Sequence, residues 1–295
     1  MEPTSKYVQA NGITLHGLTW GNPDNPLLIM THGIGLCAMV WRPLAEDLAR
    51  DYYVFSLDLR GHGDTDKPGG YTFDNMSDDV IGLVSVLTSE LDQPQLPYGI
   101  GHSAGGMTLM IANSKAPGTM GPTVLVDTRV GPALLVSSPE EREERMNRTR
   151  NKRAVWETRE IMYDAYRNRR VFSTWTDDAV RDYIYGGTRL LDDGRAELKC
   201  PTEVEAIYYE SRHGLDPTPY LKGLTGEYLL LLGYTGNYPD EEARSSDEIK
   251  HFLNEVKGAR METLPSGSHF VAMEDPDLVL SSARRYLDGH RLGGD

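Results

Sequence analysis

Cysteine is scarce in this sequence, and positive charge is in deficit. The two cysteines, Cys37 and Cys200, are far apart and form no C-x-x-C pair, so neither a disulfide framework nor a zinc site is predicted. We interpret both as small buried hydrophobic residues. The 44 Asp and Glu residues outnumber the 30 Lys and Arg residues, which gives a formal net charge of −14. Such a field repels polyanions, so we do not expect nucleic acid as a partner.

Long hydrophobic runs are also missing. No segment approaches the ~18 apolar residues of a membrane-spanning helix, and residues 1–6 lack the basic start and apolar core of a secretory signal. We therefore expect a soluble, cytoplasmic protein with no membrane partner. The 295 residues, 39% of them hydrophobic and without internal repeats, are enough for one large domain with an insertion or for two small domains.

Around Ser103 the sequence has the pattern of a sharp turn between a strand and a helix. A short apolar stretch runs into GHSAG (residues 101–105), and residues 107–113 continue with helical character. Small residues at Gly101 and Gly105 allow the two segments to cross closely. Ser103 would lie at a helix N-terminus, where backbone N–H groups favour developing negative charge. Because G-x-S-x-G is common by chance, the surrounding motifs must decide whether Ser103 is a nucleophile.

Buried strands alternate with amphipathic helices along most of the chain. An Asn-Gly hairpin joins two predicted strands at the start, and the further strands and helices follow in turn. The strands are predicted at residues 6–10, 13–20, 27–30, 53–57, 97–100, 123–126, 228–232 and 261–264. The helices are predicted at residues 43–50, 74–91, 107–113, 249–256 and 276–287, and Asp74 is expected to cap the second of them. This alternation predicts a mostly parallel sheet flanked by helices, with ligands at the carboxyl ends of its strands. His32, Ser103 and Asp127 each directly follow a predicted strand, so we expect them at this edge.

Between residues 131 and 225 the buried strands give way to charged helices with many aromatic residues. A capping box at Ser138 opens the first predicted helix, and others are predicted around residues 156–166, from Thr176 and from Thr202, with a small hairpin at residues 193–194. We interpret the alternating charges of residues 140–153 as a solvated helix face.

The segment 131–225 is therefore predicted to be a helical cap inserted into a core of residues 1–130 and 226–295. Its aromatic residues are too numerous for a small helical layer alone. We expect some of them, with Trp156, Trp175 and Tyr183 as candidates, to roof an apolar pocket.

Four motifs occur in a characteristic order: HGIG (32–35), DLRGHG (58–63), GHSAGG (101–106) and GSHF (267–270). In this order, each at a predicted strand end, they resemble the α/β-hydrolase family, in particular its serine esterases and lactonases. The resemblance covers nearly the whole chain apart from the cap. It implies an α/β-hydrolase fold with Ser103 as the nucleophile, which disfavours the relatives that use Asp at this position.

The resemblance also assigns the partners of Ser103. His269 follows the last strand in the loop where the family places its base, and the backbone N–H groups of Ile34 and Ala104 correspond to the oxyanion hole. The usual acid position after the penultimate strand is occupied by Gly236, with Asp240 nearby. Some relatives take the acid from the strand after the elbow helix, so we favour Asp127 over Asp240.

These residues predict hydrolysis of a carboxylic ester or lactone of an uncharged, fairly apolar small molecule, without a metal or an organic cofactor. The same constellation also supports a carbon–carbon bond hydrolase, a hydroxynitrile lyase or a cofactor-free dioxygenase. A small-molecule receptor of the same fold is the non-enzymatic alternative. The oligomeric state, monomer or homodimer, stays open.

Overall fold

The structure, a computed structural model, describes residues 1–131, 138–213, 215–224, 226–233 and 246–291. The strands are β1 (Thr4–Ala10), β2 (Ile13–Trp20), β3 (Leu27–Thr31), β4 (Tyr53–Leu57), β5 (Tyr98–His102), β6 (Thr123–Val126), β7 (Val155–Trp156), β8 (Thr188–Leu190), β9 (Ala196–Leu198), β10 (Tyr228–Leu232) and β11 (Arg260–Thr263). The helices are α1 (Arg42–Leu48), α2 (Phe73–Glu90), α3 (Ala104–Lys115), α4 (Pro139–Arg150), α5 (Arg159–Arg167), α6 (Asp177–Gly187), α7 (Thr202–His213), α8 (Thr218–Leu221), α9 (Ser246–Glu255), α10 (Val271–Glu274) and α11 (Pro276–Arg291), with a 3₁₀ turn at Ala38–Trp41.

The central sheet has the strand order β1-β2-β4-β3-β5-β6-β10-β11. From β4 to β11 every neighbouring pair is parallel, whereas β2 runs antiparallel to both β1 and β4. Strands β3, β4, β5, β6 and β10 are buried along their whole length, as expected when helices cover both faces. The predicted mostly parallel sheet flanked by helices is thus confirmed.

Two hydrophobic cores lie on opposite faces of this sheet. Alternate residues of β3 show the division, because Leu28 and Met30 belong to one core and Leu27 and Ile29 to the other. The first core includes apolar residues of α1 and α11, and the second includes those of α2, α3 and α9. Within the described ranges, no helix combines the length and apolar composition needed to cross a bilayer.

The turn from β5 into α3 depends on three glycines that lack a side chain at points of backbone contact. A Cβ on Gly101 would lie 2.5 Å from the Gly106 Cα, and one on Gly106 would lie 2.8 Å from the Gly101 carbonyl oxygen. A Cβ on Gly105 would meet the Thr31 carbonyl oxygen at 2.4 Å, at the end of the neighbouring strand β3. The glycines therefore bring β5, α3 and the end of β3 together at Ser103.

Several local predictions need correction. Thr72, rather than Asp74, caps α2, because its Oγ1 accepts a hydrogen bond from the Asn75 N–H at 3.2 Å while Asp74 lies one residue inside the helix. Trp156 was expected in a helix, but it lies in β7, which forms a small antiparallel sheet with β9 and β8. The capping box at Ser138 and the hairpin before β9 are confirmed. The division into core and cap stays a prediction.

We expect Gly101→Ala to destabilise the fold by about 1–3 kcal/mol, because the added methyl group would overlap the backbone of Gly106. The matched control is Gly289→Ala in α11, where an added Cβ has no atom within 4 Å; it should raise stability by up to about 1 kcal/mol. Urea unfolding of both variants measures the difference. Equal free energies of unfolding for the two variants would contradict the close crossing.

Candidate active site

Ser103 lies on the tight turn between β5 and α3 with φ of 53° and ψ of −118°. A residue other than glycine rarely adopts this left-handed region, which marks a local backbone strain of order 1–3 kcal/mol. The Ser103 N–H donates to the Val126 carbonyl oxygen at 2.9 Å, so β6 holds the turn in place. The side chain is half-buried and lines a cavity at the carboxyl edge of the sheet.

Asp127 directly follows β6, also with a left-handed backbone, at φ of 48°. Its carboxylate is fully buried, and its Oδ2 lies 2.5 Å from Nδ1 of His269, a residue 142 positions later in the chain. The Gly233 N–H approaches Oδ1 at 3.4 Å from the end of β10. The structure thus brings Asp127 and His269 together, while Asp240 lies outside the described residues.

The loop that carries His269 is fixed from two sides. His102 Nε2 donates to the His269 carbonyl oxygen at 2.7 Å, with the two rings 4.9 Å apart. The Glu274 carboxylate accepts hydrogen bonds from the Ser268 N–H at 2.6 Å and from the Ser268 hydroxyl at 2.9 Å. Because the carbonyl of His269 and the residue before it are both held, its imidazole has a defined position beside Asp127.

Of the two candidate oxyanion-hole residues, Ala104 lines the cavity and Ile34 lies in the loop after β3. Ala104 is the first residue of α3 and lines the cavity next to Ser103. Ile34 is half-buried in the loop after β3, which the contact between Gly105 and the carbonyl oxygens of Thr31 and His32 holds against the first turn of α3. The backbone of both residues therefore lies near the helix N-terminus, and their role as an oxyanion hole stays a prediction.

The cavity has a volume of about 440 Å³, which suits a small-molecule ligand. Ser103, Asp127 and His269 all contribute to its wall. Four arginines line it as well: Arg129, Arg145, Arg148 and Arg212. Other described lining residues are Phe73, Ala104, Met107, Thr149, Val171, Glu205, Tyr209, Ser268 and Phe270. The cavity is therefore strongly cationic on part of its surface, which differs from the apolar pocket expected from the sequence.

The aromatic residues expected to roof the pocket are found elsewhere. Trp156, Trp175 and Tyr183 are between 2% and 5% exposed and belong to a hydrophobic core, not to the described wall of the cavity. Their rings pack edge to face against other aromatic rings of the segment, and Trp175 contacts Phe270, the neighbour of His269. They stabilise the segment after β6, where the sequence had suggested ligand contacts.

Arg145 and Arg148 were missed because residues 140–153 were interpreted as a solvated helix face. The signal was present in their spacing, since Arg145, Arg148 and Thr149 follow the i, i+3, i+4 pattern that places residues on one face of α4. On α7, Tyr209 and Arg212 have the same i, i+3 relation. Only the packing of α4 against α7 shows that these two faces meet at the cavity.

Two buried histidines beside the site, His32 and His62, are held as neutral rings. In each ring Nδ1 donates to a backbone carbonyl oxygen, at 2.8 Å for His32 and 3.1 Å for His62. In each, Nε2 accepts from a backbone N–H, at 3.2 Å and 3.0 Å respectively. A protonated ring could not accept that bond, and burial in addition lowers the pKa of both side chains, to about 3 for His62.

His102 is also neutral. Burial, assisted by the neighbouring His269, lowers its pKa to about 3. Its Nε2 carries the proton given to the His269 carbonyl oxygen, and its Nδ1 has no hydrogen-bond partner among the described residues. The imidazole that contacts His269 from β5 is thus uncharged.

Among the described residues, one cluster of side chains has the spacing of a metal site. Potential ligand atoms of His16, Asp58 and Asp64 lie within 4.8 Å of one another. The Asp58 carboxylate, however, already accepts from His16 Nδ1 at 2.6 Å and from the backbone N–H groups of Ala38 and Asp64. Asp64 pairs with Lys199. These contacts give the cluster a structural role in holding the loop after β4.

Comparison with known proteins identifies the class. A model described as "Alpha/beta hydrolase family" matches residues 28–282. The chain belongs to the α/β-hydrolase family, and the relatives it matches include several hydrolases.

The individual relatives have either low sequence identity or a match over only part of the chain. 2-(Acetamidomethylene)succinate hydrolase of Mesorhizobium japonicum is 25% identical over 288 residues, covering 96% of this chain and 95% of that protein. 3-Oxoadipate enol-lactonase 2 of Acinetobacter baylyi is 33% identical over 102 residues, 34% of this chain and 36% of that protein. Another relative, 36% identical, is likewise covered over only about a third of its length.

Among solved structures, that of E-2-(acetamidomethylene)succinate hydrolase matches this chain with a TM-score of 0.81. It is 22% identical and covers 97% of this chain and 100% of its own. At this identity, the likeness shows the fold alone.

The neutral histidines predict that acid destabilises the protein. The unfolded chain binds protons on these rings below pH ~6.5, whereas the folded chain leaves His62 and His102 neutral down to about 3, so stability falls as pH drops between these values. Each ring contributes up to about 1.4 kcal/mol per pH unit. The free energy of unfolding in urea at pH 7.5, 6 and 5 should show this slope. His62→Asn should reduce the slope by up to about 1.4 kcal/mol per pH unit, which corresponds to one proton. An unchanged slope in the variant would refute the assignment.

Proposed function

We propose that this protein is a serine hydrolase that cleaves a carboxylic ester or a lactone through an acyl-enzyme. The observation that carries the proposal is the hydrogen bond between Asp127 and His269 beside the turn that presents Ser103 to the same cavity. A serine hydroxyl needs an adjacent base that a third group orients, and in support one cavity wall contains Ser103, His269 and Asp127, with His269 bonded to Asp127.

The hydrogen bonds suggest how each group would act. Because Nδ1 of His269 faces the Asp127 carboxylate, Nδ1 donates its proton there and Nε2 carries the lone pair. Nε2 would take the proton of Ser103 as Oγ attacks the acyl carbon, and would then return it to the leaving alcohol. A water molecule would cleave the acyl-enzyme with the same base. The backbone N–H groups of Ala104 and Ile34 would hold the oxyanion, each worth ~10²–10³ in rate.

We further propose that the segment 131–225 is a cap over Ser103. In support, Arg145 and Arg148 of α4 and Arg212 of α7 line the cavity that contains Ser103. The backbone N–H groups of Val130 and Gly131, where this segment begins, both donate to one carboxylate oxygen of Glu248, at 2.9 Å and 2.8 Å. These bonds would fix the base of the cap on α9.

A second candidate is hydrolysis of an amide-type carbon–nitrogen bond. The observation that favours it is the match over 96% of this chain to 2-(acetamidomethylene)succinate hydrolase, whose name contains an acetamido group. The same three residues would perform this reaction, because His269 could protonate a leaving nitrogen as it would a leaving oxygen. A panel of esters, lactones and N-acyl compounds distinguishes the two candidates by their kcat/KM values.

Ser103 should react with a fluorophosphonate to give a single covalent adduct. We expect intact-protein mass spectrometry to show the adduct on the wild type and not on Ser103→Ala, with turnover of nitrophenyl esters or aromatic lactones by the wild type only. Folded protein without an adduct and without turnover would instead favour a small-molecule receptor.

Asp127→Asn should lower kcat by about 10⁴ with folding intact, because the amide cannot hold the histidine in the required tautomer. The exposed Asp192, in the turn between β8 and β9, provides a matched Asp192→Asn control that should retain wild-type kcat. Steady-state kinetics and circular dichroism on both variants test this. A small loss at Asp127 together with a large loss in Asp240→Asn would transfer the acid role to Asp240.

A further inference from the structure

The described wall of the cavity has an excess of positive side chains, whereas the chain as a whole is acidic. Acidic residues outnumber basic ones by 44 to 30, yet the described wall has four arginines against two carboxylates, Asp127 and Glu205. Both carboxylates have partners of their own, since Asp127 binds His269 and Glu205 forms an ion pair with Lys152. A concentration of guanidinium groups in an acidic protein needs a specific reason.

These guanidinium groups come from three separate elements. Arg145 and Arg148 belong to α4 and Arg212 to α7, while Arg129 lies two residues after Asp127 in the chain. Arg129, Arg145 and Arg212 are half-buried, and Arg148 is exposed. The two helices pack along each other and close one side of the cavity. Parts of the chain distant in sequence therefore bring positive charge to the cavity that holds Ser103.

The positive charge of these arginines also affects a neighbouring side chain, His213. The pKa of His213, the last residue of α7, is lowered by burial and then by the positive charges of Arg212, Arg145, Arg142 and Arg129. Three of these four arginines line the cavity. Their charges thus act together at one point, as expected for a cluster and not for separate surface residues.

We propose that the cavity binds an anionic acyl substrate: a small ester, lactone or amide that has a free carboxylate in addition to the bond that is cleaved. Arg129, Arg145 and Arg212 bind this carboxylate. The inference rests on the proposed function, because it names the substrate class of the same site. It replaces the uncharged, apolar substrate expected from the sequence. The Ser103 side of the cavity would hold the scissile acyl group and the arginines the distal carboxylate.

The chemistry of the wall favours a carboxylate over an apolar group. Guanidinium groups recognise carboxylates by paired charged hydrogen bonds, and half-buried ones bind an anion more strongly than exposed ones do. The hydroxyl groups of Thr149 and Tyr209 lie in the same wall and offer further donors. An uncharged acyl chain could form no charged hydrogen bond with this wall.

Two esters of equal chain length test the inference. The p-nitrophenyl monoester of adipate and p-nitrophenyl hexanoate both have six-carbon acyl chains and the same leaving group, but only the first ends in a carboxylate. A hydrogen bond to a charged group corresponds to roughly 10- to 100-fold in affinity, so we expect kcat/KM to favour the adipate ester by about tenfold or more. A preference below twofold, or one for hexanoate, would overturn the inference.

Variants then assign the preference to residues. Arg145→Gln and Arg212→Gln should each reduce the adipate-to-hexanoate ratio of kcat/KM by about tenfold, and Arg145→Lys should retain part of it. The matched control is Arg150→Gln, on the same helix but paired with Glu203 and absent from the described cavity wall, which should retain the wild-type ratio. Thermal unfolding shows whether each variant is folded. Ratios unchanged in both folded cavity variants would refute the role of these arginines.

Direct binding separates this inference from the proposed function. Calorimetry of adipate with Ser103→Ala needs no catalysis and should show binding that Arg145→Gln weakens by about tenfold. Adipate binding without any fluorophosphonate adduct or ester turnover would support the anion site and refute the serine hydrolase. An adduct and hexanoate turnover without adipate binding would do the reverse. Inorganic phosphate binding more tightly than adipate would overturn the assignment to a carboxylate.

Discussion

The close packing of backbone at the turn between β5 and α3 is the constraint on which the site depends. Gly101 and Gly106 touch through their main chains, and Gly105 lies against the carbonyl oxygens at the end of β3. With any side chain there, α3 would move away from the sheet. Ser103 would then lose both its left-handed backbone and its position at the helix N-terminus, and the loop of Ile34 would lose its contact with that helix.

Around this turn, the structure separates neutral from charged groups. The imidazoles of His32, His62 and His102 are uncharged and hold backbone groups through directional hydrogen bonds. The Asp127 carboxylate is buried, with the imidazole of His269 and the N–H of Gly233, the residue after β10, next to its oxygens. This arrangement holds the candidate base in place, whereas arginines from α4, from α7 and from the loop after β6 bring positive charge to the cavity wall.

Much of the fold and part of the site could be predicted from the sequence. Strand β4 was placed to the residue because a short apolar run predicts a buried strand, and α6 began where Thr176 predicted because a capping residue precedes an amphipathic helix. The pairing of His269 with Asp127 was expected from motif order and strand ends, and the structure places their side chains in contact. Local errors arose where capping and short pairing compete, as at Thr72 and in the small sheet around Trp156.

The sequence by itself determined what its periodicity and motifs encode: the strands and helices, the parallel sheet, and the edge of the sheet at which Ser103, Asp127 and His269 meet. Only the tertiary structure decided what surrounds them. Trp175 looked like a pocket residue but is core, and Arg145 looked like a solvated residue but lines the cavity. The reason is physical: the period of a helix defines its faces, whereas the packing of α4 against α7 decides whether a face meets solvent, core or cavity.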